Sequence, residues 1–145
     1  MSVRRARAED AGDITAVLAE LGYSASPEDI AGRLAGLDAD ERSAALVAVT
    51  GPKVVGMLTL HMVPVLHEPG DWCRLTALVV APAARRRGVA TALVSAAETI
   101  AREAGCVRIE VTSALHRDGA HEFYRGRGYG QVSEHFLKPL RAADG

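Results

Sequence analysis

The sequence predicts an α/β fold, and three observations point to it. The apolar run Leu75 to Val80 reads as a buried strand, which Pro82 ends because proline cannot donate to a ladder. The turn Ala84-Arg85-Arg86-Arg87-Gly88-Val89-Ala90 then leads into apolar residues at Ala90, Leu93, Val94, Ala97, Ile100 and Ala101, which is helical spacing. Strand and helix signals also alternate along the whole chain in the order β-α-α-β-β-β-α-β-α-β. At 145 residues this is read as one domain, 1–145, with 141–145 a frayed tail.

Each element has a local reason. Val3 to Arg7 is a short alternating strand, and Asp10 or a neighbour caps a helix with Ile14, Val17, Leu18 and Leu21 on one face, ending at Gly22. Ser26-Pro27-Glu28-Asp29 is a helix start: a serine cap, proline in the first turn and acids facing the dipole. Ala44 to Thr50 and Lys53 to Met62 form a hairpin about the turn Gly51-Pro52-Lys53. Val63 to Asp71 is a loop and Trp72 opens the strand that runs to Val80. The helix after the arginine turn stops at Gly105, a C′ glycine. Val107 to Val111 is a further strand, Ala120 to Arg127 a short helix closed by Gly128, and Tyr129 to Leu140 a returning strand.

Composition narrows the function. Net charge is −1 and aromatics make up 4%, so nothing favours nucleic acid; basic residues cluster only at Arg85 to Arg87 and at Arg125 and Arg127. No apolar run spans a membrane and the N-terminus lacks a signal core, so a cytoplasmic location is expected. Five scattered histidines show no ligand spacing, so no metal is expected. Cys73 and Cys106 read as buried thiols.

The arginine turn carries the chemistry. A strand feeding a helix N-terminus presents unpaired N–H groups and the positive end of the dipole, which bind anions. Gly88 and Ala90 let a phosphate approach the main chain. A solvated basic turn is the bland alternative. There is no Gly-Lys-[Ser/Thr] for a P-loop and no G-x-G-x-x-G.

The pattern Arg85-x-x-Gly88-x-Ala90 after a strand resembles the acyl-CoA pyrophosphate loop of the GNAT N-acetyltransferase family. Ala120-His-Glu-Phe-Tyr-Arg-Gly-Arg-Gly-Tyr129 resembles that family's second motif, A-x-x-[FL]-Y-x-x-x-G-[FY], and Arg4-x-Ala6-x-x-x-Asp10 opens as such domains do. The resemblance covers nearly the full length. It implies a single-domain acyltransferase fold, with a mixed central sheet of six to seven strands flanked by about four helices. It also implies acetyl-CoA as acyl donor, a small-molecule or protein amine as acceptor, and a homodimer.

Residue by residue, the resemblance sets Leu78, Val79 and Val80 beside the pantetheine arm. Arg85, Arg86, Arg87, Gly88, Val89, Ala90 and Thr91 fall around the pyrophosphate. Tyr124 matches the tyrosine that protonates the departing thiolate, although a tyrosine merely packing its helix fits the same position. Glu110 is the candidate base, with Glu68, Asp71, His116 or a water chain as competitors. The oxyanion donor is expected to be a backbone N–H near Val79 or Val80, at a bulge. Arg117 stands where many relatives have asparagine, a cofactor contact. A non-catalytic acyl-CoA-binding regulatory module on the same fold is the alternative from another class.

Overall fold

In the computed structural model, which describes residues 1–111, 120–132 and 136–141, the chain opens with β1 (Ser2–Arg5), α1 (Ala11–Glu20) and α2 (Pro27–Ala39). Next come β2 (Ser43–Thr50), β3 (Lys53–Val63) and β4 (Trp72–Val80), then α3 (Val89–Glu103), β5 (Arg108–Val111) and α4 (Ala120–Gly126). The strands form one sheet in the order β1-β2-β3-β4-β5, antiparallel except for the parallel pair β4–β5. The chain divides into two units, Met1–Ala114, which holds the whole sheet, and Leu115–Gly145, which holds α4.

Each face of the sheet has its own core. A Cβ placed on Gly56 would come within 2.8 Å of Val89 and 3.3 Å of Leu93, so α3 lies directly on that face of β3. Alternation puts Leu58 and Leu60 on the same face, and both are fully buried with Leu75, Leu93, Val94 and Ala97. On the other face Val47 and Val54 pack with Ala11 and Ile14 of α1 and Ile30 of α2. Ser26 caps α2 as its sequence implies: its Oγ accepts from Asp29 N at 3.0 Å, and Asp29 Oδ2 accepts from Ser26 N at 3.2 Å. Cys73 is fully buried, and desolvation pushes its thiol up to about 11; Cys106 is half-buried and also free.

Two expectations need correction. Asp10 does not cap α1 through its side chain. Its carboxylate accepts two bonds from Arg4, at 2.8 and 2.9 Å, and one from Arg7 N at 2.7 Å, which ties β1 to the turn before α1. The strand expected over Tyr129 to Leu140 is absent at its described residues, so five strands are described rather than six or seven. Phe136 and Leu137 are neighbours and both exposed, which breaks the alternation a half-buried strand needs, and Pro139 has no N–H to give a ladder.

The Asp10 cluster predicts a pH-dependent stability. Asp10→Ala should lower unfolding stability by about 1–3 kcal/mol, the usual loss for buried charge-assisted bonds. The Arg4 hydrogen bonds depress the Asp10 pKa, so this contribution is full above the ordinary value of 3.8 and is lost as pH falls through the lower folded value. Urea midpoints of the two proteins should therefore differ at pH 7 and converge in strong acid.

Candidate active site

The arginine turn sits where the sequence places it. After β4, a 3₁₀ turn at Pro82–Ala84 leads through Arg85, Arg86 and Arg87 to Gly88, the residue before α3. Arg86 and Gly88 both have positive φ, 63° and 79°. These left-handed positions turn the main chain sharply into the helix. Ala92 N is bonded to Gly88 O at 3.0 Å, so the N–H groups of Val89, Ala90 and Thr91 precede the first intrahelical bond. No side chain caps them and no acidic residue lies in the first turn. The three arginines are exposed. A cleft of about 420 Å³ adjoins this loop on the α1 side, lined among others by Asp13, Val17, Lys53, Ala84, Arg87 and Val89.

The second feature is the edge of β4. Ala81 N donates to Val55 O, and the register pairs Met57 with Val79 and Thr59 with Ala77. In an antiparallel ladder alternate residues face the partner, so Val79 turns its polar groups to β3. Leu78 and Val80 turn theirs to the opposite edge, the β5 side. The described ladder to β5 pairs only Trp72 to Leu75 with Arg108 to Val111. Leu78 and Val79 bury their side chains, so only main chain is offered there. Of the two residues proposed for the oxyanion, Val80 has the outward geometry and Val79 does not.

The bulge is real but earlier than expected. The β3–β4 register shifts between Thr59, opposite Ala77, and Leu60, opposite Leu75, which leaves Thr76 as the extra residue. Leu75 and Leu78 can both face α3 at a spacing of three only because Thr76 is inserted between them. That spacing was the available sequence signal.

Residues 13–129 match the Acetyltransferase (GNAT) family. The chain belongs to that family. It is 32% identical over 143 residues to the aminoalkylphosphonate N-acetyltransferase of Salmonella typhimurium, covering 95% of this chain and 90% of that protein. It is 33% identical over 105 residues to the aminoglycoside N(6')-acetyltransferase type 1 of Klebsiella aerogenes, covering 68% and 69%. Among solved structures, a transcriptional regulator from Bacillus halodurans superposes with a TM-score of 0.87 at 24% identity, over 96% of this chain and 99% of that one. The chain is an N-acetyltransferase, and acetyl-CoA is the donor its family uses.

In this GNAT enzyme the acidic candidates for the base are each ion-paired with arginine. Glu110 stands opposite Arg74 in the β4–β5 ladder, and its carboxylate is 3.2 Å from the Arg74 guanidinium and 3.6 Å from that of Arg108. An incoming amine would have to compete with both cations for it. Glu68 is hydrogen-bonded to Arg108, and Asp71 is paired with Arg42 at 2.7 Å. Arg117 and His116 lie outside the described residues.

Tyr124 lies on α4 in the second unit, its ring edge-on to Phe123 at 5.2 Å and to Tyr129 at 5.6 Å. The helix closes by Tyr129 N donating to Tyr124 O, with Gly128 at positive φ. The Tyr124 hydroxyl is buried with no hydrogen-bond partner among the described residues, and desolvation pushes its pKa up to about 12. Among the described residues no group of three acids, cysteines or histidines could hold a metal. No described helix is long and apolar enough to cross a membrane.

Proposed function

We propose that the chain moves an acetyl group from acetyl-CoA to the primary amine of a small molecule, by direct attack within a ternary complex. The observation that carries this reading is the outward-facing main chain of β4, which runs from the arginine turn back to the bulge at Thr76. From Thr76 to Val80 it spans about 13 Å, four steps of roughly 3.3 Å, so an extended pantetheine arm can lie along it. In this reading the two units together form one acyltransferase domain.

The pyrophosphate takes N–H groups from the loop and first turn, Arg86 through Thr91, with Arg85 and the other exposed guanidiniums adding charge. The arm pairs with the outward groups of Val80 and with the Leu78 carbonyl. Its thioester then lies beside Thr76, with Leu78 N–H the nearest outward donor for the oxygen as charge develops. The amine nitrogen bonds to the carbonyl carbon and sheds a proton, the carbon–sulfur bond breaks, the sulfur takes the Tyr124 proton, and the proton shed by nitrogen restores the phenol through solvent. A phenol whose pKa burial raises stays protonated through the neutral range, so it is loaded when the thiolate leaves. Arg117, at the family's asparagine position, is a further cofactor contact in this scheme.

The relatives named above acetylate, by their names, an aminoalkylphosphonate and an aminoglycoside, which supports a small-molecule acceptor over a protein amine. The test is thiol release from acetyl-CoA across aminoalkylphosphonates, aminoglycosides and peptide amines. Saturable turnover with a small-molecule amine is expected. Turnover restricted to peptide amines would overturn the acceptor class, and acetyl-CoA binding without turnover on any amine would overturn the transferase mechanism.

A further inference from the structure

On the sheet face opposite α3, side chains from three strands and the α2–β2 connection form one continuous hydrogen-bond chain. Ser43 Oγ donates to Asp40 Oδ2 at 3.0 Å. Ser43 Oγ is also 2.9 Å from His61 Nδ1, its cross-strand partner. His61 Nε2 is 2.9 Å from Thr76 Oγ1, and Thr76 Oγ1 is 2.8 Å from Thr59 Oγ1. A carboxylate can only accept, so the single serine proton is committed to Asp40. His61 must then donate from Nδ1, which leaves Nε2 as the acceptor of the Thr76 hydroxyl, and Thr59 donates to Thr76. The chain thus has one direction, ending in a basic ring nitrogen behind an exposed threonine.

We propose that this chain removes the proton from the acceptor ammonium, with Thr76 meeting the substrate and His61 Nε2 as the proton acceptor. The proposal rests on the transferase reading above, which brings the thioester to Thr76, the bulged residue at the end of the open β4 edge. An ammonium N–H bond breaks as its proton passes to Thr76 Oγ1, and the original Thr76 proton passes to His61 Nε2. The free amine then attacks, and the imidazolium returns its proton to solvent before the next turnover. Asp40 and Ser43 are positioning residues: they hold the ring in the Nδ1–H form and offset the imidazolium charge.

The surroundings suit that role. Burial lowers the His61 pKa, Asp40 opposes the shift and the Arg74 guanidinium adds to it, so the ring is neutral at pH 7 and gains a proton as pH falls. Arg74 is itself paired with Glu110 of β5. Asp40 is held ionised by the N–H of Arg42 and the Ser43 hydroxyl. His61 Nε2 is hydrogen-bonded to the Thr76 hydroxyl, where the Glu110 carboxylate is ion-paired, and it reaches the open surface through that one hydroxyl.

The test is the pH dependence of kcat at saturating amine, with a melting curve for every variant. Wild type should show an acidic limb with an inflection below the ordinary histidine value of 6.5. His61→Gln should lose that limb and about a hundredfold in kcat at pH 7, with recovery above the amine's own pKa. Thr76→Val cuts the chain at an exposed site and should fall in the same direction, which keeps the proposal falsifiable if His61→Gln does not fold. Ser43→Ala should move the limb to lower pH, and Glu110→Gln should keep it. Long-range ¹⁵N NMR should find His61 in the Nδ1–H form. A folded His61→Gln or Thr76→Val protein with the wild-type limb, or a His61 Nε2–H tautomer, would overturn the relay while leaving the transferase reading intact. A wild-type protein that acetylates no amine would overturn that reading and the relay with it.

Discussion

Replacing Tyr124 with phenylalanine is expected to lower turnover by about ten- to a thousandfold while leaving acetyl-CoA affinity nearly unchanged. The substitution keeps the ring and its edge contacts with Phe123 and Tyr129 and removes one oxygen. Folding should not suffer, because that hydroxyl is buried without a partner among the described residues and its desolvation is a cost that phenylalanine avoids. The loss belongs to the transition state: a ground-state thioester sulfur is a poor acceptor, whereas the departing thiolate is a strong one. Burial raises the Tyr124 pKa to about 12, so its deprotonation should add no alkaline limb to the wild-type rate below that range. The comparison needs an acceptor for which chemistry is slow, since product release would otherwise mask the effect. Wild-type turnover by the folded variant on such an acceptor would make Tyr124 a packing residue only.

Gly88→Val is expected to weaken acetyl-CoA binding by about tenfold or more, as measured by calorimetry. A Cβ at Gly88 would meet nothing within 4 Å among the described residues, so crowding by them is not the cause. Two other effects are. Gly88 has φ +79°, where a residue with a Cβ pays roughly 1–2 kcal/mol, enough to bias the turn away from its shape. The new side chain also projects where a phosphate would close on the N–H groups of Val89, Ala90 and Thr91. Gly88→Ala shares the backbone strain with less bulk, so its loss should be smaller. Unchanged affinity in a folded Gly88→Val protein would remove the phosphate from this loop.

Local signals carried most of the fold. The Ser26-Pro27 start, the β4 run and the glycines at 88, 105 and 128 each depend on neighbours within one turn of chain, and each lies where the sequence puts it. What escaped depends on distant partners. Asp10 reads locally as a cap, yet the guanidinium of Arg4 claims its carboxylate from β1. Tyr129 to Leu140 has apolar residues enough for a strand, but no ladder forms at its described residues. Around the candidate site, the arginine turn ending in Gly88 was legible as a strand-to-helix turn because one loop contains it. His61 was not, because its chain joins residues from Asp40 to Thr76 through a register that only the paired strands define.

The central claim is direct transfer from acetyl-CoA to an amine, and parallel quantification of free CoA and acetylated amine tests it most directly. With an acceptor from the panel, the account predicts one CoA per acetylated amine, a rate saturable in both substrates, and no CoA release when the amine is omitted. CoA release at the same rate without the amine would contradict it, as would tight acetyl-CoA binding with neither product formed, the behaviour of a non-catalytic acyl-CoA-binding module.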